Sequence, residues 1–194
     1  MMEIVHVGGV SGVGKTMMLR ELKRESNLSE NKIHINSASR TLSELSLKHY
    51  GEELQRINTR QLLRIQKDYI KLVTKLPGQI VLIDSHHVKV SNNQIVLLTP
   101  DIYKGEFSCH IIVEADPNII LQRRINDINI PRSTDKTIIN LEISGEKEAT
   151  YKIAVETGVN VYTVNNNTLK SAIRDMVTII YKEFKIPLRC QYGD

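Results

Sequence analysis

A glycine-rich segment near the beginning of the chain has the residue types needed to bind a polyphosphate. Its residues are Gly9, Val10, Ser11, Gly12, Val13, Gly14, Lys15 and Thr16. Glycines let the main chain curl so that consecutive N–H groups face one anion. Lys15 would then reach the terminal phosphates, and Thr16 would offer its hydroxyl to the Mg²⁺ that bridges them. The segment therefore predicts a binding site for ATP with Mg²⁺.

The position of this segment strengthens the interpretation. It fits the pattern GxxxxGK[ST], follows an apolar run at residues 4–7 and precedes a helix pattern that begins at Thr16. A strand, a glycine-rich turn and a helix in this order form the phosphate-binding motif known as the P-loop. Neither the lysine nor the hydroxyl is needed at these positions for folding alone. We therefore predict a P-loop at residues 9–16.

A P-loop also predicts an acidic residue at the end of a neighbouring buried strand, and Asp84 follows the apolar run at residues 80–83. We expect Asp84 to hold the Mg²⁺ shell, partly through water. His86 and His87 follow after Ser85. A zinc site on this pair is not expected, because the sequence shows no third ligand at a fitting spacing. One of them, with His86 as the candidate for substrate binding, is expected to orient Asp84 or line the pocket.

The elements that would position these residues alternate along the chain. Short runs rich in Ile and Val predict buried strands at residues 4–7, 33–35, 80–83, 111–113 and 159–164, and helix patterns lie between them. This alternation predicts an α/β fold of the P-loop NTPase type, a three-layer structure with a five-stranded parallel sheet and helices on both faces. We expect one domain over residues 1–194, with a small helical acceptor-binding insertion at about 37–76 and a lid at about 123–135.

Composition excludes several other classes. The chain has 194 residues, of which 41% are hydrophobic and 25% charged, which is typical of a globular protein. Its formal net charge of +4 is spread along the sequence, so a nucleic-acid partner is not expected. No apolar run approaches the roughly 20 residues that cross a bilayer, so no membrane partner is expected. Cys109 and Cys190 form no CxxC pair, which favours a reducing, cytoplasmic location.

The chain resembles the archaeal-type adenylate kinases in several separate motifs. These are the P-loop at residues 10–15, the Ile-Asp-Ser-His stretch at 83–86, the Glu-Ala-Asp-Pro segment at 114–117 and Arg123 in the following helix pattern. The resemblance implies phosphoryl transfer between ATP and AMP to give two ADP, with Mg²⁺. It also implies nucleotides as the binding partners and a possible homotrimer.

The same resemblance implies roles for particular side chains. Arg123 would open the lid and Arg132 would close it, both as catalytic groups over the phosphates. Asn36 would lie near the base and ribose of the acceptor, and Arg56 would bind the acceptor phosphate. Arginines suit these tasks because a phosphate acceptor needs no general base, and the planar guanidinium clamps phosphoryl oxygens in two places.

The sequence departs from that family in the lid and on the acceptor side. Asn126 and Ile130 stand where the lid usually carries arginines, and Arg124 is the neighbouring residue that could compensate. Arg56 also belongs to a repeat of arginines every four residues, which on a helix would form a stripe that lines the acceptor site or faces water. Two alternatives stay open. One is a P-loop kinase of another small-molecule acceptor, with Asp84 or His86 as base. The other is an ATP-binding regulatory or assembly protein with a degenerate lid.

Overall fold

The computed structural model describes residues 2–25, 33–91, 94–98, 105–128 and 132–188. Strands and helices alternate over most of this length. In chain order they are β1 (Glu3–Gly8), α1 (Lys15–Glu25), β2 (Ile33–Ser37), α2 (Ala38–Tyr50), α3 (Thr59–Val73), β3 (Ile80–Asp84), β4 (Val88–Ser91), β5 (Gln94–Leu97), β6 (Cys109–Glu114), α4 (Pro117–Asn126), α5 (Lys136–Thr157), β7 (Asn160–Asn165) and α6 (Leu169–Phe184).

The main sheet has five parallel strands in the order β2-β3-β1-β6-β7. Strand β1 lies in the centre, so the segment that follows it emerges at the middle of the carboxyl edge. Residues of β1 alternate between the two faces of the sheet. Val5 and Val7 pack with α1 and α6 on one face, whereas Ile4 packs with Tyr69 and Val73 of α3 on the other. The predicted α/β fold, with five parallel strands and helices on both faces, is confirmed.

Local sequence signals mark the ends of several helices. Asn58 and Gln61 form a reciprocal capping box at the start of α3. Asp116 caps α4 by accepting from the N–H of Asn118, and Pro117 follows at the first helical position. Gly158 ends α5 in the left-handed conformation, with φ of 71°. These ends fix where α4 and α5 meet the sheet.

A two-stranded antiparallel sheet of β4 and β5 was not predicted. Its strands have four residues each, and β5 is exposed throughout, so they lack the buried apolar runs by which strands were recognised. The hairpin lies against α5. Ile95 of β5 packs so close to Gly145 of α5 that a Cβ added to this glycine would lie 2.8 Å from Cδ1 of Ile95. The hairpin therefore covers the middle of α5.

The predicted insertion at about 37–76 contains α2 and α3, and its role in acceptor binding stays a prediction. The predicted lid at about 123–135 begins inside α4. Residues 129–131, including Ile130, lie outside the described residues, as do residues 189–194 with Cys190. Among the helices of the described ranges, none combines the length and the apolar character needed to cross a membrane.

Candidate phosphate-binding site

The glycine-rich segment forms the turn between β1 and α1, as predicted. Gly9 has φ of 138° and Gly14 has φ of 95°, conformations that residues with a Cβ rarely adopt. Space is also limited, because a Cβ on Gly9 would lie 2.5 Å from the carbonyl oxygen of Val113. Glycine is thus required at Gly9 for both conformation and close packing on β6.

Lys15 is buried within this turn, with 8% of its surface exposed. Its Nζ donates a hydrogen bond to the carbonyl oxygen of Gly9 and lies 4.0 Å from Oδ1 of Asp84. Burial lowers the pKa of Lys15, while the carboxylates of Asp84 and Glu146 oppose that shift. The Lys15 side chain is therefore held at the loop by Gly9 and Asp84.

Thr16 and Asp84 bring two oxygen donors together beside Lys15. The Thr16 hydroxyl donates a hydrogen bond to Oδ2 of Asp84 over 2.8 Å. Strands β1 and β3 are parallel neighbours, with Val7 opposite Asp84, so the carboxylate and the start of α1 meet at one sheet edge. A hydroxyl and a carboxylate are oxygen ligands of the kind that Mg²⁺ prefers. The pair fits the predicted Mg²⁺ site.

Glu146 of α5 is a site residue that sequence reasoning missed. Its buried carboxylate accepts hydrogen bonds from the main-chain N–H groups of Gly9 at 3.2 Å, His87 at 2.8 Å and Val88 at 3.1 Å. Burial raises the pKa of Glu146, whereas Lys15 and the three N–H groups act to lower it. The residue opens a charged run, Glu-Lys-Glu, in the middle of a long helix pattern. In sequence it is indistinguishable from a solvent-facing glutamate.

Two adjacent arginines at the end of α4 donate hydrogen bonds to the main chain of the loop. Arg123 donates to the carbonyl oxygens of Val13 at 2.6 Å and Asn166 at 2.8 Å. Arg124 donates from Nε and Nη2 to the carbonyl oxygen of Ser11, at 3.0 and 2.7 Å.

Arg124 also contacts the carbonyl oxygen of Ser133 at 2.9 Å and forms an ion pair with Glu142. Its side chain is only 1% exposed. Both arginines thus bind main-chain carbonyl groups of the loop in this structure, and the catalytic role predicted for Arg123 stays a prediction.

Arg132 is the predicted lid arginine that the structure brings close to Lys15. It pairs with Asp127 through a 2.6 Å contact from Nη1, and its positive charge acts to lower the pKa of Lys15. Its buried Nε makes no hydrogen bond within the described residues. Arg132 therefore adds positive potential beside Lys15, together with a donor that has no partner among the described residues.

A cleft of about 400 Å³ opens next to Thr16 and Asp84. It lies between α1, the end of β2 and the start of α2, where the acceptor side was predicted. The lining residues are Thr16, Leu19, Arg20, Lys23, Ile35, Asn36, Ser37, Arg40, Thr41, Glu44 and Asp84.

Asn36 is held in place at this cleft by its neighbours. It donates to the Thr41 hydroxyl at 3.1 Å and accepts from the Tyr69 hydroxyl at 2.9 Å. The structure thus brings Asn36 to the predicted acceptor side, and its contact with an acceptor stays a prediction.

The structure does not bring Arg56 or His86 into this cleft. Arg56 lies in the turn before α3, so it does not extend a helical stripe, and it is exposed and 3.6 Å from Glu53. Arg40 lines the cleft instead. His86 is exposed, two residues beyond Asp84, and its role in orienting Asp84 or binding substrate stays a prediction.

Structural comparisons recover the P-loop kinase fold at low sequence identity. A gluconokinase from Sinorhizobium meliloti 1021 is 10% identical with a TM-score of 0.52, covering 93% of this chain and 92% of its own. A shikimate kinase from Bacteroides thetaiotaomicron is 12% identical with a TM-score of 0.52, covering 96% and 100%. The Bacillus subtilis YorR protein, in complex with phosphorylated GDP, is 14% identical with a TM-score of 0.50, covering 94% and 98%.

Sequence comparison with curated proteins gave no match. The family model described as an AAA domain, by contrast, matches residues 8–142, which include the P-loop, Asp84 and the arginines of α4. This match spans more than half of the chain. Together with the parallel sheet and the loop geometry, it shows that the chain belongs to the AAA domain family and has the P-loop kinase fold.

Proposed function

We propose that the protein is a nucleoside monophosphate kinase that transfers the terminal phosphoryl group of ATP to AMP and so forms two ADP. The observation that carries the proposal is the cleft of about 400 Å³ that opens directly beside Thr16 and Asp84. An acceptor in this cleft lies next to the loop where the terminal phosphate of ATP would be held.

The charge of the cleft favours an anionic acceptor. Arg20, Lys23 and Arg40 line it, against the two carboxylates of Glu44 and Asp84. The phosphate of a nucleoside monophosphate is an anion near neutral pH and can attack without a general base. Positioning and positive charge are then the main requirements, which these cations supply.

The donor side follows from the loop and the residues around it. Main-chain N–H groups of the loop and the Lys15 ammonium would hold the outer phosphates of ATP. Thr16 and Asp84 would hold Mg²⁺, which when bound offsets the phosphate charge. Arg132 would place its unused Nε donor and its positive charge near the transferring group. A homotrimer is part of the same proposal and is tested by light scattering.

A kinase of a small-molecule hydroxyl is the second candidate. The observation that favours it is the position of the Asp84 carboxylate on the wall of the cleft, where it could accept a proton from a hydroxyl. Gluconokinase and shikimate kinase, which share the fold, are named for such acceptors. In the proposed function, Asp84 instead serves the Mg²⁺ site through its contact with Thr16.

A coupled assay with Mg²⁺ and ATP separates these functions. The acceptors to compare are AMP, CMP, UMP, GMP, gluconate and shikimate. A higher turnover rate with AMP than with the other acceptors supports the proposal. Turnover with gluconate or shikimate and none with a monophosphate supports the hydroxyl kinase. ATP binding without transfer to any acceptor supports the regulatory or assembly protein.

Substitutions of arginines on the acceptor side test where the acceptor binds. We expect Arg40→Ala to raise the KM for AMP by about tenfold or more, because a charge-assisted hydrogen bond contributes roughly 1.5–3 kcal/mol. Arg174→Ala, an exposed change on α6, is the matched control and should leave the KM unchanged. A large effect of Arg56→Ala with none of Arg40→Ala would contradict the assignment of the acceptor to this cleft.

A further inference from the structure

Three histidines from separate segments meet in the core beneath the glycine-rich loop. His6 lies on β1, His110 lies opposite it in register on β6, and His87 follows β3. Their exposed fractions are 0%, 0% and 1%. One ring nitrogen from each lies within 4.8 Å of the others. Three ligating groups are therefore gathered at one buried point.

The ring nitrogens of His6 and His110 lack the partners that buried polar atoms normally have. Neither Nδ1 nor Nε2 of either ring makes a hydrogen bond within the described residues. A neutral imidazole always carries one N–H donor and one lone pair, and leaving both unsatisfied in a core costs free energy. Hydrogen bonding within the described residues therefore does not account for these two rings.

Aromatic packing explains the size of the rings but not their nitrogens. His6 stacks on His87 with ring centroids 3.8 Å apart, and the Phe107 ring lies 5.4 Å from that of His6. A phenylalanine in place of His6 or His110 would supply similar ring contacts without buried polar atoms. Three histidines in one apolar cluster therefore indicate a use for imidazole nitrogen.

The protonation of the cluster suits metal binding. Burial lowers the pKa of all three rings, to about 3 for His87 and about 4 for His110. The rings are then neutral at physiological pH, and neutral imidazole is the form that ligates metals.

We propose that His6, His87 and His110 bind one divalent transition metal ion of the Zn²⁺ class. Imidazole is a preferred ligand of Zn²⁺, Co²⁺ and Ni²⁺, and three histidines are a known ligand set for zinc. A tetrahedral site with Zn–N bonds of about 2.0–2.1 Å places its nitrogens about 3.4 Å apart. The ligating nitrogens now lie within 4.8 Å of one another, so metal binding requires the rings to turn and bring them closer. His87 tilts out of its stack on His6 as it does so.

Glu146 would offset part of the charge of a metal ion at the cluster, against the positive charge of Lys15, which also acts on His6. Cε1 of His6 and Oε1 of Glu146 both lie within 3 Å of the position that a Cβ on Gly8 would occupy. The Glu146 carboxylate therefore stands beside the cluster while its hydrogen bonds hold Gly9 and His87. A metal ion here would link β1, β6 and the segment after β3 beneath the loop. This site is separate from the one that binds Mg²⁺.

The experiment uses the full chain, unfolded and refolded with excess chelator and then freed of chelator. Titration with Co²⁺ is followed by its visible d–d absorption, and zinc retained by the untreated protein is measured by mass spectrometry. We expect one equivalent of metal per chain, the absorption of a four- or five-coordinate site, and a rise in Tm on adding Zn²⁺. These readouts do not depend on kinase activity, so they are independent of the proposed function.

Variants locate the site. His110→Phe keeps a ring beside Phe107 and is expected to weaken Co²⁺ binding at least tenfold. His6→Gln tests a second ligand in the same way. His49→Gln, on α2 and outside the cluster, is the matched control and should bind as the unmodified chain does.

Three outcomes would overturn the proposal. They are no bound metal in the unmodified chain, equal affinity in folded His110→Phe, and Co²⁺ binding without any rise in Tm on adding Zn²⁺. The last two indicate a surface site. If His110→Phe and His6→Gln do not fold, the proposal is still tested on the unmodified chain. The readouts are its metal stoichiometry, its Co²⁺ spectrum and its Tm with Zn²⁺.

Discussion

The carboxylate of Glu146 accepts a hydrogen bond from the main-chain N–H of Gly9 at 3.2 Å, and so ties helix α5 to the first residue of the glycine-rich loop. The same carboxylate accepts from His87 and Val88 after β3. One buried side chain thus fixes two adjacent segments at the carboxyl edge of the sheet. Because Lys15 donates to the carbonyl oxygen of Gly9, the position of the lysine depends on this contact as well.

Replacing the carboxylate should damage both stability and ATP binding. In Glu146→Gln an amide NH₂ replaces one acceptor oxygen and faces N–H donors, so we expect the free energy of unfolding to fall by about 2–3 kcal/mol. Urea denaturation measures the loss, and titration with Mg²⁺ and ATP measures the accompanying fall in affinity. Glu148→Gln, an exposed change on the same helix, is the control. Equal stability of the two variants would show that Glu146 does not organise the loop.

The buried arginine of α4 should behave as a structural clamp. Arg124→Lys keeps the positive charge beside Glu142 but loses the two-atom contact with the Ser11 carbonyl. We expect it to lower the free energy of unfolding by about 2–4 kcal/mol, since a lysine cannot make all the hydrogen bonds of the buried guanidinium. Denaturation by urea measures this loss, and Lys170→Arg on α6 serves as an exposed control. A variant as stable as the parent would contradict the clamp.

The thiol of Cys109 should be inert in the folded protein. Burial raises the pKa of this thiol from 9.0 to about 12, with the carboxylates of Glu183 and Glu3 adding to the shift. At pH 8 the thiolate fraction is then about 1,000-fold smaller than for an ordinary thiol, and only the thiolate reacts.

The thiol reagent DTNB, applied to a Cys190→Ser variant, tests this. Cys109 should react only as fast as the protein unfolds. Because the folded pKa is raised, the group favours unfolding as the pH rises above about 9 and has no such effect below it. Rapid labelling at pH 8 without unfolding would show that Cys109 is accessible and contradict the burial of β6.

Much of the fold could be predicted because its signals are local. Strands β1, β3 and β6 contain buried apolar runs, whereas β2 and β7 were predicted to be buried but are largely half-buried or exposed. Residues such as Asp116 and Gly158 mark helix ends through their own main-chain preferences. The β4–β5 hairpin could not be predicted in this way. Ile95 of the hairpin packs beside Gly145 of α5, where a Cβ on the glycine would lie 2.8 Å from Cδ1 of Ile95. This contact depends on a residue far away in the sequence.

The candidate site likewise contains residues that could be predicted from sequence and residues that could not. The loop, Lys15, Thr16 and Asp84 are recognisable from sequence because their chemistry requires those residue types at fixed spacing. Glu146 and Arg124 act through contacts with residues far away in the chain, and nothing in their own neighbourhoods reveals this. The histidine cluster is a further case. The sequence around His86 and His87 shows no third ligand, whereas the parallel sheet brings His6 and His110 from other strands to His87.

Calorimetric titration of Lys15→Ala with ATP and Mg²⁺ tests most directly whether the loop between β1 and α1 holds a triphosphate. Lys152→Ala, an exposed change on α5, is the matched control. Loss of the buried lysine removes the one cation that the loop itself contributes, so we expect at least a 100-fold fall in affinity or in phosphoryl transfer, equivalent to about 2.7 kcal/mol. Affinity and turnover equal to those of the Lys152→Ala control would contradict the account.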